Sequence, residues 1–83
     1  MKEQQIQSKR IKQLESEGYY VIKLIKTNKN GIPDLIAIPR DAPVLFSEIK
    51  TEKGKLSELQ KYRLQELKDY GFNTEVYNGQ EKL

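Results

Sequence analysis

Apolar residues recur at three-and-four spacing in two stretches of this chain, and in alternating or continuous runs in four others. Residues 2–17 carry only Ile6, Ile11 and Leu14 on one stripe, which predicts a thinly amphipathic first helix ending at Gly18. Tyr19-Tyr20-Val21-Ile22-Lys23-Leu24-Ile25 is β-branched and aromatic and predicts a first strand. A polar loop follows at Thr27-Asn28-Lys29-Asn30-Gly31. Residues 34–38 and 44–49 predict two further strands. Between them, Pro39-Arg40-Asp41-Ala42-Pro43 is a turn by composition. Thr51 to Lys55 reads as a short basic loop around Gly54. A second helix is predicted over 58–69, with Leu56, Leu59, Arg63, Leu67 and Tyr70 at helical spacing, Leu64 widening the face and Gly71 closing it. Residues 72–77 predict a fourth strand, with Phe72, Thr74 and Val76 alternating against Asn73, Glu75 and Tyr77. Residues 78–83 read as a tail.

The element order is helix, three strands, helix, strand. That predicts one small α/β domain over residues 1–83, with no repeat or linker to divide it. The fourth strand should return parallel to the third by a crossover through the second helix. Two thin helices would leave apolar sheet surface poorly covered, so a homodimer is expected, intertwined or with exchanged elements. Tyr62 and Tyr70 are assigned to an interface or the core rather than to base stacking.

The candidate chemistry sits on the hairpin. A symmetric hairpin centred on Asp41 pairs residue 38 with 44 and residue 34 with 48. Asp34 then lies directly across from Glu48, and like charges opposite one another on a sheet repel. Lys50, two residues further on, points to the same face. Two acids and an ammonium at the end of a face carrying Ile36, Ile38, Val44 and Phe46 serve stability poorly. They make sense around a divalent cation. Mg²⁺ favours one or two carboxylates and takes its remaining ligands from water and phosphate. Such an ion activates water and clamps a phosphoryl oxygen, while a lysine offsets developing charge. The implied chemistry is metal-assisted phosphodiester hydrolysis.

Composition narrows the choice. The 83 residues include no cysteine and no histidine, which removes thiolate sites, the usual zinc ligand and the commonest general base. An all-oxygen site suits Mg²⁺ or Mn²⁺. No apolar run approaches membrane-spanning length and no signal-peptide pattern opens the chain, so a cytoplasmic location is expected. The net charge of +3 is modest, but basic residues flank the hairpin site. Lys9 and Arg10 on the first helix, Lys26 and Lys29 before Asp34, and Lys53 and Lys55 after Lys50 are candidate contacts to DNA phosphates.

The words Gly31-Ile32-Pro33-Asp34, Glu48-Ile49-Lys50 and Leu56-Ser57-Glu58-Leu59-Gln60 together resemble the VRR-NUC family of the PD-(D/E)XK nuclease superfamily. The resemblance runs from about Glu3 to about Tyr77. It implies a minimal restriction-endonuclease-like core. It also implies Asp34 and Glu48 as metal ligands, Lys50 as the catalytic lysine, and a metal contact from the Ile49 backbone carbonyl. Glu3 would match the acidic residue of the first helix, although a glutamate there also suits the helix dipole. Gln60 would match a glutamine of the second helix, although Ser57 and Gln60 also form a capping box. Stand-alone, minimal members are similar to dimeric enzymes that cleave Holliday junctions, and a viral source, with action in a host cytoplasm, fits the resemblance. The expected function is therefore a metal-dependent endonuclease selective for branched DNA. The alternatives are a less selective DNA nuclease and a non-cleaving DNA-binding accessory protein.

Overall fold

The computed structural model describes residues 2–79. Its first helix, α1, spans Glu3–Ser16 and opens with Gln5 Oε1 accepting the Lys2 backbone N–H at 3.0 Å. At its end the Tyr19 N–H donates to the Leu14 carbonyl at 3.0 Å, and Gly18 adopts a φ of 95°. This closure draws Tyr19 into the helix cap. The first strand, β1, is accordingly Tyr20–Lys23 rather than the 19–25 expected. Strands β2 (Leu35–Ile38) and β3 (Leu45–Ile49) follow, then α2 (Glu58–Asp69) and β4 (Asn73–Tyr77). Helix α2 also ends on a glycine of positive φ, Gly71, with Phe72 N–H bonded to the Leu67 carbonyl at 3.1 Å.

The four strands form one mixed sheet in the order β1-β2-β3-β4. Strands β1, β2 and β3 are antiparallel neighbours, and β4 lies parallel to β3 after the α2 crossover, as expected. Leu35 pairs with Ser47, Ile36 with Phe46 and Ala37 with Leu45. This is the hairpin register predicted from the symmetric turn.

The two faces of the sheet differ. Leu35, Ala37, Ser47 and Ile49 alternate onto one face and are fully buried there. Ile6 of α1 packs against Leu35 and Ile49, with Ile11, Val21 and Tyr77 around them. The core therefore lies on the face opposite the Ile36, Ile38 and Phe46 stripe. A polar clamp fixes α1 to this side. Arg10 donates to both Glu75 oxygens at 2.8 and 2.7 Å, Ser47 Oγ donates to Glu75 Oε2 at 2.6 Å, and the guanidinium lies 4.7 Å from the Tyr77 ring centre. Burial opposes the charge on Arg10, but its bonds to Glu75 and that residue's charge outweigh this and hold its pKa above the ordinary value.

Helix α2 serves the other face, and its rotation corrects the sequence expectation. Leu64 is its buried residue, while Leu59 is exposed and Tyr70 is 78% exposed. The stripe turned to the sheet is centred on Gln60 and Leu64, not on Leu59, Arg63 and Tyr70. The reason is polar: the sheet presents Glu48 on this side, and Gln60 meets it. Tyr62 is likewise exposed, with the Arg63 guanidinium 5.5 Å from its ring centre, so neither tyrosine belongs to the core of this chain. Helix α2 packs mainly on β4. Tyr20, Ile22, Ile36, Ile38 and Phe46, cross-strand neighbours on the same face, are left half-buried or exposed.

Among the described residues no helix is long and apolar enough to cross a membrane. Of the expected tail, Asn78 and Gly79 are described, and the Ile6 side chain lies against Gly79. Residues 80–83 lie outside the described residues.

Candidate active site

Asp34 follows the buried Pro33 and precedes β2. Its backbone carbonyl accepts the Leu24 N–H at 2.8 Å, and its Oδ2 accepts the Ile49 N–H at 2.8 Å. One residue thus ties together the end of β1, the start of β2 and the end of β3. Continuing the Leu35–Ser47 pairing by one step places Asp34 opposite Glu48. In a strand the N–H and C=O of one residue point to the same side. The Ile49 carbonyl is therefore directed to the side where Asp34 sits.

Glu48 is 3% exposed. Its Oε2 accepts a long hydrogen bond from Gln60 Nε2 at 3.4 Å and lies 3.9 Å from Lys50 Nζ. Among the described residues, no donor reaches its buried Oε1. Burial pushes the Glu48 carboxyl up to about 8, helped by the negative charge of Asp34 and a hydrogen bond shared with it; Lys50 pulls the other way, and the charge of Glu3 adds to the rise. An acid raised this far is held beside another acid with too few donors.

The structure brings Asp34, Glu48, Lys50 and Gln60 together. Gln60 also completes the capping box, with Ser57 N–H donating to Gln60 Oε1 at 2.9 Å and Gln60 N–H donating to Ser57 Oγ at 3.1 Å. Its side chain thus serves the helix cap and Glu48 at once. Glu3 stands in the first turn of α1, exposed yet near enough for Glu48 to feel its charge. Lys26, Lys29, Lys53 and Lys55 are exposed. Lys9 Nζ donates to the Gly79 carbonyl at 3.4 Å, and Arg10 is committed to Glu75. The last two were expected at a phosphate, and the structure turns them onto the chain itself.

Sequence reading missed the structural part that Arg63 plays beside the site. Its Nε donates to the Asn30 carbonyl at 2.9 Å and fastens the loop before Asp34 to α2. The available signal was an arginine among leucines on a helical stripe, where a cation needs a partner.

Among the described residues, no three Asp, Glu, His or Cys side chains gather as a ready-made metal cage. The donor set still fits a hard cation that keeps several waters: two carboxylates, one of which has a buried oxygen that no donor among the described residues reaches, and one carbonyl directed the same way. Mg²⁺ or Mn²⁺ matches these all-oxygen ligands better than zinc.

Fold and site together have the form of a PD-(D/E)XK nuclease: a mixed sheet with helices on both faces and the acidic pair and lysine at its strand ends. The profile of the VRR-NUC domain family matches residues 1–81, so the chain belongs to that family. A solved structure described as a VRR_NUC domain matches with a TM-score of 0.81 at 27% identity, covering 92% of this chain and 83% of that one. No curated protein matches significantly. The family is one of nucleases of the PD-(D/E)XK type, which generally use divalent metals.

Proposed function

We propose that this chain is a divalent-metal-dependent DNA endonuclease that hydrolyses phosphodiester bonds and selects branched substrates such as four-way junctions as a homodimer. The observation that carries the reading is the donorless buried Glu48 Oε1 beside Asp34, with Lys50 Nζ at 3.9 Å from the same carboxylate. Asp34, Glu48 and the Ile49 carbonyl would hold Mg²⁺ or Mn²⁺, with Glu3 reaching the ion directly or through water. When bound, the ion polarises a phosphoryl oxygen and makes its water more acidic.

The chain's own groups do the rest. In hydrolysis, water adds to phosphorus and one P–O ester bond breaks. Lys50, held by Glu48, donates from Nζ to the attacking water or to a non-bridging oxygen and offsets the charge that builds there. The Gln60 amide steadies Glu48, and the Ile49 N–H steadies Asp34. Exposed Lys26, Lys29, Lys53 and Lys55 flank the site and suit the phosphates on either side. The homodimer is supported by the uncovered face bearing Tyr20 at 70% and Ile22 at 41% exposure.

The test is cleavage of a labelled four-way junction beside a linear duplex of the same sequence, in Mg²⁺, Mn²⁺ or EDTA, with wild type and Asp34→Asn. Paired nicks in the junction, absent in EDTA and in the variant, are expected. Equal cutting of both substrates would leave a less selective nuclease. Binding without cutting would leave a DNA-binding accessory protein.

A further inference from the structure

The segment between β1 and β2 carries, beside lysines already assigned to phosphates, an apolar side chain that the cleavage site does not use. Ile25 is 86% exposed, the most exposed of the large apolar side chains among the described residues. It stands among Lys23, Lys26 and Lys29, all exposed. Such a residue was expected at the end of a strand, where its side chain would find a neighbour. Instead β1 stops at Lys23, and Ile25 projects from a cationic loop.

The loop is braced. At its start, the Leu24 N–H bonds the Asp34 carbonyl at 2.8 Å, so the backbone next to Ile25 is fixed to the acid. Within it, Thr27 Oγ1 donates to the Lys29 carbonyl at 2.7 Å. At its end, Arg63 Nε holds the Asn30 carbonyl at 2.9 Å. Gly31 lies so close to α2 that a Cβ there would come within 2.7 Å of Leu59 Cγ. A cleft of about 330 Å³ runs along this loop, and its lining includes both Ile25 and Asp34.

An exposed aliphatic side chain that shares a cleft with Lys26 and Lys29 suits a ligand with a charged backbone and apolar faces inside it. Nucleic acid has that structure, and proteins that bend or open DNA insert isoleucine, leucine or phenylalanine between base steps. We infer that Ile25 is a wedge: it enters a DNA base step beside the Asp34 end of the cleft, while Lys26 and Lys29 grip the backbone. Unstacking is least costly where stacking is already broken, as at a branch point or an unpaired base. The wedge would thus favour branched DNA before any bond is cut. This deepens the nuclease reading, and rests on it for what passes over the loop.

The test separates the two. A four-way junction carrying a fluorescent adenine analogue at the branch is titrated with the Asp34→Asn protein, with and without Ile25→Ala, in EDTA. Analogue fluorescence reports unstacking, and anisotropy of a distant label reports binding. The wedge predicts a fluorescence rise with Asp34→Asn alone. With Ile25→Ala added, that rise should be lost and junction affinity should fall about tenfold, as burial of one aliphatic side chain implies. Affinity for linear duplex should change little. Ile25→Ala is a surface change, and an unaltered melting temperature confirms an intact fold. An equal rise with Ile25→Ala, no rise with either protein, or no DNA binding at all would overturn the wedge. A lost rise in a protein whose wild type cuts no DNA would support the wedge and reject the nuclease.

Discussion

Glu48 is a buried acid facing a second acid, and its behaviour with pH follows from that. In the metal-free folded chain its carboxyl titrates at about 8, against 4.5 for an ordinary glutamate. The folded state therefore keeps a proton that the unfolded state has released. That contribution to stability is complete below about pH 4.5 and is lost as pH rises toward 8. Melting temperatures in EDTA should fall across this range, and Glu48→Gln should flatten the fall. Glu48→Gln should also match or exceed the wild type in stability at pH 8, where two ionised acids repel. A sharp loss of stability would count against the paired-acid geometry. On the proposed reading, Lys50→Ala retains metal binding, measured by calorimetry, but loses turnover; cleavage at the wild-type rate would remove the lysine from the mechanism. Much of this site is legible in the sequence. Asp34 and Glu48 fall into register because two apolar runs flank a turn bounded by Pro39 and Pro43, and Lys50 follows by alternation. The donorless Glu48 Oε1 is not legible, since it depends on how every neighbouring donor is spent.

At the scale of elements, α2 shows where sequence reasoning stops. Its limits and its cap are legible: Ser57 and Gln60 form the expected capping box, and Gly71 closes the helix. Its rotation is not. The spacing of Leu56, Leu59, Arg63, Leu67 and Tyr70 suggests one face, but Gln60 and Leu64 face the sheet because Glu48 lies there. A hydrophobic stripe counts leucines and does not register a glutamine with a buried partner. Arg10 shows the same limit, since its helical position marks it as a surface cation and only β4 reveals Glu75 as its partner. Ser57→Ala should cost about 1 kcal/mol. In a domain of this size that lowers the melting temperature by roughly 5 °C. Calorimetry measures it, and the added effect on cleavage tests whether the first turn of α2 supports Glu48. Loss of stability with full activity would separate the cap from the site.

For the whole molecule, the sheet is covered unequally. Helix α1 seals one face with Ile6 and Leu14, both at most 2% exposed. On the other face helix α2 lies over β4, and among the described residues Tyr20 and Ile22 stay exposed and Ile36 and Ile38 half-buried. The α/β order and the parallel return of β4 are legible from the pattern of elements. Which part of the sheet stays open is not, because that depends on where α2 comes to rest. If the open face is the proposed homodimer contact, Ile22→Glu should shift sedimentation from dimer to monomer while the circular dichroism spectrum is kept. A wild type that already sediments as a monomer at micromolar concentration would exclude that contact.

Gln60 gives its oxygen to the Ser57 N–H and its nitrogen to Glu48. Elsewhere glutamate and glutamine are interchangeable at this place in a capping box. Here the exchange is asymmetric. Gln60→Glu would satisfy the helix just as well, yet it would replace a donor with a third carboxyl group beside two acids that already crowd one another. A change that any scale of helix preference scores as silent becomes, at this one position, a change in what the neighbouring carboxylate can bind.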